Sequence, residues 1–325
     1  MQEKAHMTGS PQRRGLTRTT AAVKSVLRRY PAEFLASLLE PKAKPHRAFR
    51  DILTELAPHD LAACWLGHGS VVVSIGDLTF VVDPVLSQRI GPSLNKRILG
   101  LSRRIPAPFG PDSLQGLDAI FITHAHFDHL DKATLRQLID PRTTVFVPPR
   151  CSRLIPRGFA DVVVLAPGES STFRAATIEA IQPRHWGART LLDRRRGSCA
   201  FAVRHPDGSA LITGDTAFTH AFDETHGIDL AVFGIGAYNP WEHMHATPEQ
   251  VWAMFQAMNA RYLLPVHHST FELSDEPMAE PMQRLEAVAA EQFDRIIKER
   301  PGELVVIPTP GEPTNADEPD HLSVK

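Results

Sequence analysis

The chain has 325 residues, of which 42% are hydrophobic and 22% charged, and its formal net charge at pH 7 is −2. This composition is typical of a globular protein with a large core and argues against a dedicated nucleic-acid binder. The three cysteines show no C-x-x-C spacing, which predicts reduced thiols in a cytoplasmic protein. No apolar run is as long as a membrane-spanning helix requires.

The first 58 residues form a predicted N-terminal extension. Residues 1–19 are polar and contain glycine and proline, which predicts disorder. Apolar residues then recur at helical spacing over residues 20–39, with a break at Pro31, which predicts two short helices. A helical flap packed on the domain and a helix lying on a membrane surface both fit this pattern.

The core domain is predicted to span residues 59–308 and to be followed by a disordered tail, 309–325. Apolar runs bounded by turn residues predict strands at Ala62–Leu66, Val71–Ile75, Leu78–Val82, Ala119–Ile122, Thr144–Val147, Val162–Leu165, Thr177–Ile181, Cys199–Arg204, Ala210–Thr213, Leu230–Phe233 and Tyr262–Val266. Helical periodicity predicts helices at Lys132–Ile139, Pro248–Met258 and Glu280–Lys298.

A cluster of metal-binding side chains follows the strand at Ala119–Ile122. The segment reads FITHAHFDHL and contains His124, His126, Asp128 and His129. Alternate residues of an extended segment share one side, so the first two histidines can point at one ion. Imidazole and carboxylate ligands suit zinc and similar ions, and the sequence therefore predicts a metal site here.

Three further metal-capable side chains end later strands. His185 lies in QPRHWG, Asp215 in TGDT and His267 in PVHHSTF, where His268 is the alternative to His267. The carboxyl ends of strands are where α/β folds gather their functional groups. Taken singly, each residue is more often structural, since an aspartate at a strand end can cap a helix and a histidine can simply form a hydrogen bond.

The pattern H-x-H-x-D-H, followed by these three residues in order, resembles the signature of the metallo-β-lactamase superfamily. The resemblance implies a four-layer αββα sandwich of mixed α/β class. It also implies a dinuclear hydrolase that uses a metal-bridging hydroxide as nucleophile. The two divalent ions are expected to be zinc, with manganese or iron as alternatives.

The resemblance also assigns roles to individual residues. It places His124, His126 and His185 on one ion, and Asp128, His129 and His267 on the second. It makes Asp215 the bridge between them. The expected catalytic residues are Asp128, Asp215 and His245.

Flanking motifs such as WLGHGS, VVDPVLS and IGAYNP look like the branch that contains N-acyl-phosphatidylethanolamine-hydrolysing phospholipase D. This implies a phosphodiesterase for an anionic small-molecule or lipid substrate, with peripheral membrane contact. Ascorbate-6-phosphate lactonases share part of the set, so a lactonase or other carboxylic-ester hydrolase is the alternative. The segments HAHFDH and NPWEHMH depart from the branch pattern and leave the lipid substrate open.

Three groups of residues have two interpretations each. Asp83 precedes Pro84 and is expected either to hydrogen-bond a ligand histidine or simply to form a turn. His68 is expected either near the metals or as an ordinary loop histidine, and the same holds for His245. Basic residues at 89–104 and 184–196 favour a phosphate-bearing substrate, with solvated loops as the alternative.

Overall fold

The computed structural model describes residues 30–39, 48–95, 97–190, 193 and 195–308. The predictions for residues 1–29 and for the tail 309–325 lie outside this part of the chain. Residues 30–39 are helical and are called α1; the remaining helices are α2 (Ile52–Leu56), α3 (Lys132–Gln137), α4 (Pro248–Ala257) and α5 (Glu280–Ala289).

Seventeen strands are formed by the described residues. In chain order they are β1 (Leu61–Gly67), β2 (Ser70–Ile75), β3 (Leu78–Val82), β4 (Arg89–Ile90), β5 (Ser93–Leu94), β6 (Arg97–Ile98), β7 (Leu101–Ser102), β8 (Ala119–Phe121), β9 (Thr144–Val147), β10 (Asp161–Val164), β11 (Ser170–Phe173), β12 (Ala176–Ile181), β13 (Ala200–His205), β14 (Gly208–Ile212), β15 (Leu230–Gly234), β16 (Tyr262–Val266) and β17 (Leu304–Val306).

These strands build two large sheets. The first has seven strands in the order β10-β9-β8-β3-β2-β1-β17, and the second has six in the order β11-β12-β13-β14-β15-β16. Each sheet is antiparallel in one half and parallel in the other. Nearly every residue of β1, β2 and β3 is buried, because both faces of the sheet are covered.

Three apolar layers hold the two sheets and the helices together. The layer between the sheets contains Phe80, Phe121 and Phe201, which are all fully buried. The outer face of the first sheet packs against α2 and α3, and that of the second packs against α4 and α5. The predicted αββα sandwich is therefore confirmed.

The main departure from the predicted elements is the helix at Glu280–Lys298. It ends at Ala289, Ala290 takes a φ of 47°, and a 3₁₀ segment follows to Arg295. Ile296 forms a parallel β-bridge with Leu263 of β16, and the N–H of Ile297 donates to the carbonyl of Leu263. The chain must therefore leave the helix in order to join the second sheet, although its sequence favours a longer helix.

In its described part, the N-terminal region contains one helix, α1, and a second helix, α2, that is part of the core. Pro31 lies within the helical residues of α1. Helix α2 belongs to the predicted extension, yet its Ile52 and Leu56 are fully buried in the outer layer of the first sheet. A truncation that preserves the core must therefore stop at residue 47.

Among the described residues, no helix is long and apolar enough to cross a membrane.

Candidate metal centre

The predicted ligands converge at one edge of the sandwich, where four strands end. The segment after β8 carries His124 to His129, and it closes into a turn because the N–H groups of His129 and Leu130 donate to the carbonyl of His126. His185, Asp215 and His267 follow β12, β14 and β16. Both sheets therefore contribute to the centre.

The first group surrounds one oxygen of Asp215. The Nε2 atoms of His124 and His185 lie 3.6 and 3.7 Å from Asp215 Oδ2. Nδ1 of His126 lies 2.9 Å from His124 Nε2 and 3.3 Å from His185 Nε2. These four side chains converge closely enough to hold one ion.

The second group surrounds the other oxygen of the same carboxylate. The Nε2 atoms of His267 and His129 lie 3.1 and 3.3 Å from Asp215 Oδ1. Asp128 Oδ2 lies 3.4 Å from His267 Nε2 and 3.7 Å from His129 Nε2. Asp215 therefore faces one set of ligands with each oxygen, the geometry that a bridging carboxylate requires.

Several atoms in the centre are buried and unpaired. His129 Nε2, His267 Nε2 and Asp215 Oδ1 make no hydrogen bond. A buried polar atom without a partner is costly, and three of them pointing at one another are costlier still. A cation bound between them would satisfy all three, so the residues present fit a metal ion.

The carboxylates and two of the histidines hold each other in charged forms. Burial opposes ionisation of Asp215 and Asp128, but the charge of His129 outweighs it and keeps the pKa of both carboxyls well below the usual range. Burial likewise disfavours a charged His267, yet Asp215 and Asp128 raise its pKa to about 9. The site is thus built to hold positive charge between two carboxylates.

Burial favours the neutral form of the other histidines in the centre. Burial lowers the pKa of His185 to about 4 and that of His124 well below its usual range. His185 Nδ1 donates to the carbonyl of Met244 (3.0 Å), which leaves Nε2 free to face the ion. A neutral imidazole with its second nitrogen held by a carbonyl is the form that binds metals.

Asp83 forms hydrogen bonds to side chains on the buried side of the centre. Its Oδ2 accepts from Nδ1 of His129 (2.7 Å) and from the hydroxyl of Thr123 (2.5 Å), and its Oδ1 accepts from the N–H of Thr123 (2.8 Å). The Thr123 hydroxyl lies 3.0 Å from Nδ1 of His124. Asp83 therefore orients one ligand directly and a second through Thr123, so its predicted hydrogen bond to a ligand histidine is present.

The other three histidines occupy different places. His245 Nδ1 lies 3.8 Å from Asp215 Oδ2, and its side chain is 15% exposed, so it reaches the centre from the solvent side. His68 is buried and contacts Asp128. His268 stacks on Trp65 with ring centroids 4.9 Å apart and takes no part in the centre, which favours His267 as the ligand.

The arginines of the 89–104 segment have partners within the protein, although the sequence predicted that they contact an anionic substrate. Arg103 is only 5% exposed, and its guanidinium donates to the carbonyls of Leu66, Val85 and Ile105. Arg89 and Arg104 form ion pairs with Glu33 of α1. The interpretation of the 89–104 run as an anion-binding surface is therefore wrong for Arg89 and Arg103, which are buried against acidic and carbonyl partners, whereas Arg104 is exposed and paired with glutamates.

Arg189 fixes the loop that carries three of the predicted ligands, and the sequence did not predict this role. The guanidinium of Arg189 donates to the carbonyls of Ala125 (3.1 Å) and Leu130 (2.8 Å) and lies 4.1 Å from the ring of Phe127. It thereby closes both ends of the loop that carries His126, Asp128 and His129. Its only sequence signal was its place in the basic run after His185.

The fold and the centre define a class: αββα sandwiches with two His/Asp ligand sets that share one aspartate at the sheet edge. A family model described as a beta-lactamase superfamily domain matches residues 79–268. The chain belongs to the metallo-β-lactamase superfamily and, within it, to the metal-dependent hydrolases.

Relatives and solved structures agree with this placement. An uncharacterised protein of Mycobacterium tuberculosis is 31% identical over 257 residues, covering 75% of this chain and 68% of the relative. N-acyl-phosphatidylethanolamine-hydrolyzing phospholipase D 1 of Caenorhabditis elegans is 30% identical over 247 residues, covering 69% and 68%. The structure of an isothiocyanate hydrolase from Delia radicum gut bacteria superposes with a TM-score of 0.60 and 17% identity, covering 77% and 100%, and it shares the fold.

Proposed function

We propose that this metal-dependent hydrolase holds two divalent ions and cleaves a phosphodiester that carries an apolar portion. The observation that carries the dinuclear part is the position of Asp215, whose two oxygens face separate groups of histidines. Seven ligands, His124, His126, Asp128, His129, His185, Asp215 and His267, then suffice for two sites. Zinc is the expected metal, with manganese or iron as alternatives.

The seven ligands would hold the two ions, which would supply an activated water and neutralise charge on a phosphoryl group. The chain itself supplies the fixed ligand geometry and excludes water from the ligand side, where His124, His129 and Asp215 are almost fully buried. His245 reaches the centre from the open side. We assign it the role of hydrogen-bonding a substrate oxygen.

The phosphodiester is favoured by the relative in Caenorhabditis elegans, whose name describes a phospholipase D. The apolar portion is favoured by a surface formed by α1 and the β5–β6 hairpin, where Arg97, the strand partner of Leu94, donates to the carbonyl of Leu38. Its residues are large apolar side chains exposed to solvent: Phe34, Leu35, Leu38, Leu39 and Leu94. We call this set the apolar surface and propose that it contacts lipid. The exposed Arg184 and Arg195 flank His185 in sequence and are the remaining candidates for contacting an anionic headgroup.

Elemental analysis and an activity panel test the proposal. Protein purified without chelator and reloaded with zinc should contain about two ions per chain, and a stoichiometry that stays below one contradicts the dinuclear part. The panel consists of bis-p-nitrophenyl phosphate, vesicles containing N-acyl-phosphatidylethanolamine, and a set of lactones. Lactone hydrolysis without phosphodiesterase activity would replace this substrate class with the carboxylic-ester alternative.

A further inference from the structure

His68 lies in the turn between β1 and β2, directly beside Asp128, and its backbone is fixed by three contacts. Its φ is 54°. Its N–H donates to the hydroxyl of Thr270 (2.7 Å), and its carbonyl accepts from Nε1 of Trp65 (2.8 Å) and from the N–H of His267 (3.0 Å). The turn therefore joins the first sheet to the segment that carries a ligand of the second sheet.

The glycines on both sides of His68 lie in close packing, and Gly67 in addition has a positive φ that favours glycine. A Cβ on Gly67, whose φ is +92°, would lie 2.5 Å from the guanidinium of Arg103. A Cβ on Gly69 would lie 3.1 Å from the ring of His129. A side chain at either position would press against these neighbours and move the turn. The two glycines of the WLGHGS motif therefore allow His68 to lie next to Asp128.

The side chain of His68 has one polar partner. Its ring packs at 4.1 Å from the ring of His267 and lies edge-on to Phe271 at 5.1 Å. Nε2 lies 2.9 Å from Asp128 Oδ2, whereas Nδ1 is buried and has no hydrogen-bond partner. A neutral imidazole carries one hydrogen, and only the Nε2–H tautomer places it on an acceptor.

We propose that His68 is a positioning residue that donates from Nε2–H to Asp128 and holds this carboxylate against the second metal position. The proposal rests on the dinuclear proposed function. Asp128 Oδ2 is the oxygen that lies closest to His267 Nε2 and His129 Nε2. Without the donor the carboxylate is free to rotate away from them. His68 converges with Asp128, His129 and His267, but we assign it to positioning and not to ligation, because a ligating Nε2 would leave a buried Nδ1–H without an acceptor.

A matched pair of substitutions isolates the donor. Gln and Met are similar in length and shape, but only Gln retains an N–H group. We expect His68→Met to weaken the binding of one of the two ions by about 10–100-fold in a chelator competition, and His68→Gln to stay within about threefold of the parent protein. His205→Met is the control, since His205 is a histidine with a buried ring that pairs with Asp77 at the other end of the sheets.

Three outcomes of the competition overturn the proposal: unchanged affinity in His68→Met, an equal loss in both His68 variants, or an equal loss in His205→Met. Ring ¹⁵N spectra of zinc-loaded protein, assigned with the His68→Gln variant, provide a second readout. An Nε2–H tautomer supports the proposal, and a zinc-shifted Nε2 with a protonated Nδ1 overturns it in favour of a fifth ligand. If the parent protein binds only one ion, the dinuclear proposal fails, while the spectra still decide the role of His68.

Discussion

At the scale of single residues, Asp215 is the side chain on which the centre depends most. It separates two groups of histidines and supplies an oxygen to each. We predict that Asp215→Ala lowers kcat/KM by about 10³-fold or more, because the two proposed cations would lose the carboxylate between them, an effect of several kcal/mol. Metal content should fall in parallel, and a variant that keeps two ions and full turnover would contradict the bridging role.

The adjacent histidines His267 and His268 form a natural control pair. His267→Ala should remove a ligand and lower metal content. His268→Ala should keep the metals and instead lower the free energy of unfolding by about 2–3 kcal/mol, because it leaves a cavity beside Trp65. Metal analysis and thermal unfolding of both variants measure this difference. The reverse ranking of metal content would show that the ligand is misassigned.

Arg103 and Arg104 are neighbours in sequence with different environments. Arg103→Met leaves three carbonyl groups without their donor, so we predict a loss of at least about 3 kcal/mol in the free energy of unfolding. Arg104, whose side chain is 47% exposed, pairs with Glu33 and Glu272 at the surface. Arg104→Met should cost less than about 1 kcal/mol, as surface ion pairs usually do. Similar unfolding midpoints would contradict the structural role of Arg103.

At the scale of elements, α1 is held to the body of the protein through Glu33. Its carboxylate accepts from Arg89 and Arg104 and from the hydroxyl of Ser102. Burial opposes ionisation of Glu33, but the hydrogen bonds from Arg89 and Ser102 outweigh it and lower its pKa. A carboxyl with a lowered pKa stabilises the folded state above its unfolded pKa, and this contribution is lost as the pH falls through its folded pKa.

Hydrogen exchange in α1 measures this contribution. At neutral pH, Glu33→Gln should exchange faster than the parent protein over residues 30–39, because the charged anchor is missing. The ratio of the two rates should begin to fall near the ordinary glutamate pKa of about 4.3 and approach one only below the lowered folded pKa of Glu33, where the parent carboxyl is protonated as well. The ratio cancels the intrinsic pH dependence of exchange. A ratio of one at neutral pH would show that Glu33 does not anchor the helix.

The elements that were predicted from the sequence have a strong local pattern, although the apolar run of β17 (LVV) was missed. The strands that carry His124, Asp215 and His267 are continuous apolar runs, and they were placed to within a few residues. Strand β11 (SSTF) and the two-residue strands β4 to β7 have no such pattern, because they form through pairing with a neighbouring strand and not through an apolar run of their own. The end of α5 depends on contacts with β16, which its own sequence does not reveal.

The candidate centre was predictable for a related reason. Its ligands are chemically distinctive and sit directly after strands, so residue type and position sufficed. The groups that fix those ligands are ordinary side chains whose contacts are long-range. Arg189 and Thr270 act on residues 59 or more positions away, and nothing in their local sequence indicates this.

At the scale of the whole molecule, the metal centre and the apolar surface are linked through α1. Glu33 pairs with Arg104, whose N–H donates to the carbonyl of Thr270, and the Thr270 hydroxyl accepts from the N–H of His68. A chain of direct contacts thus runs from α1 to the turn beside Asp128. Lys and Arg outnumber Asp and Glu in residues 1–47, which suits an anionic bilayer.

This arrangement predicts a difference between substrates in lipid vesicles and small diesters in solution. Leu35 and Leu39 of α1 are 57% and 77% exposed. Replacing both with serine should lower hydrolysis of N-acyl-phosphatidylethanolamine in anionic vesicles by about tenfold or more, since two apolar side chains no longer enter the bilayer. Hydrolysis of bis-p-nitrophenyl phosphate should be unchanged, because that reaction needs only the metal centre.

Two controls make this prediction decisive. Val164 and Val306 are 43% and 47% exposed on β10 and β17, outside the apolar surface, and their replacement by serine should leave both activities unchanged. Deletion of residues 1–47 keeps the buried Ile52 and Leu56, and it should reproduce the selective loss on vesicles. Equal losses on both substrates after deletion would assign α1 a structural role. An unchanged rate on vesicles in the Leu35 and Leu39 variant would exclude the apolar surface as the lipid contact.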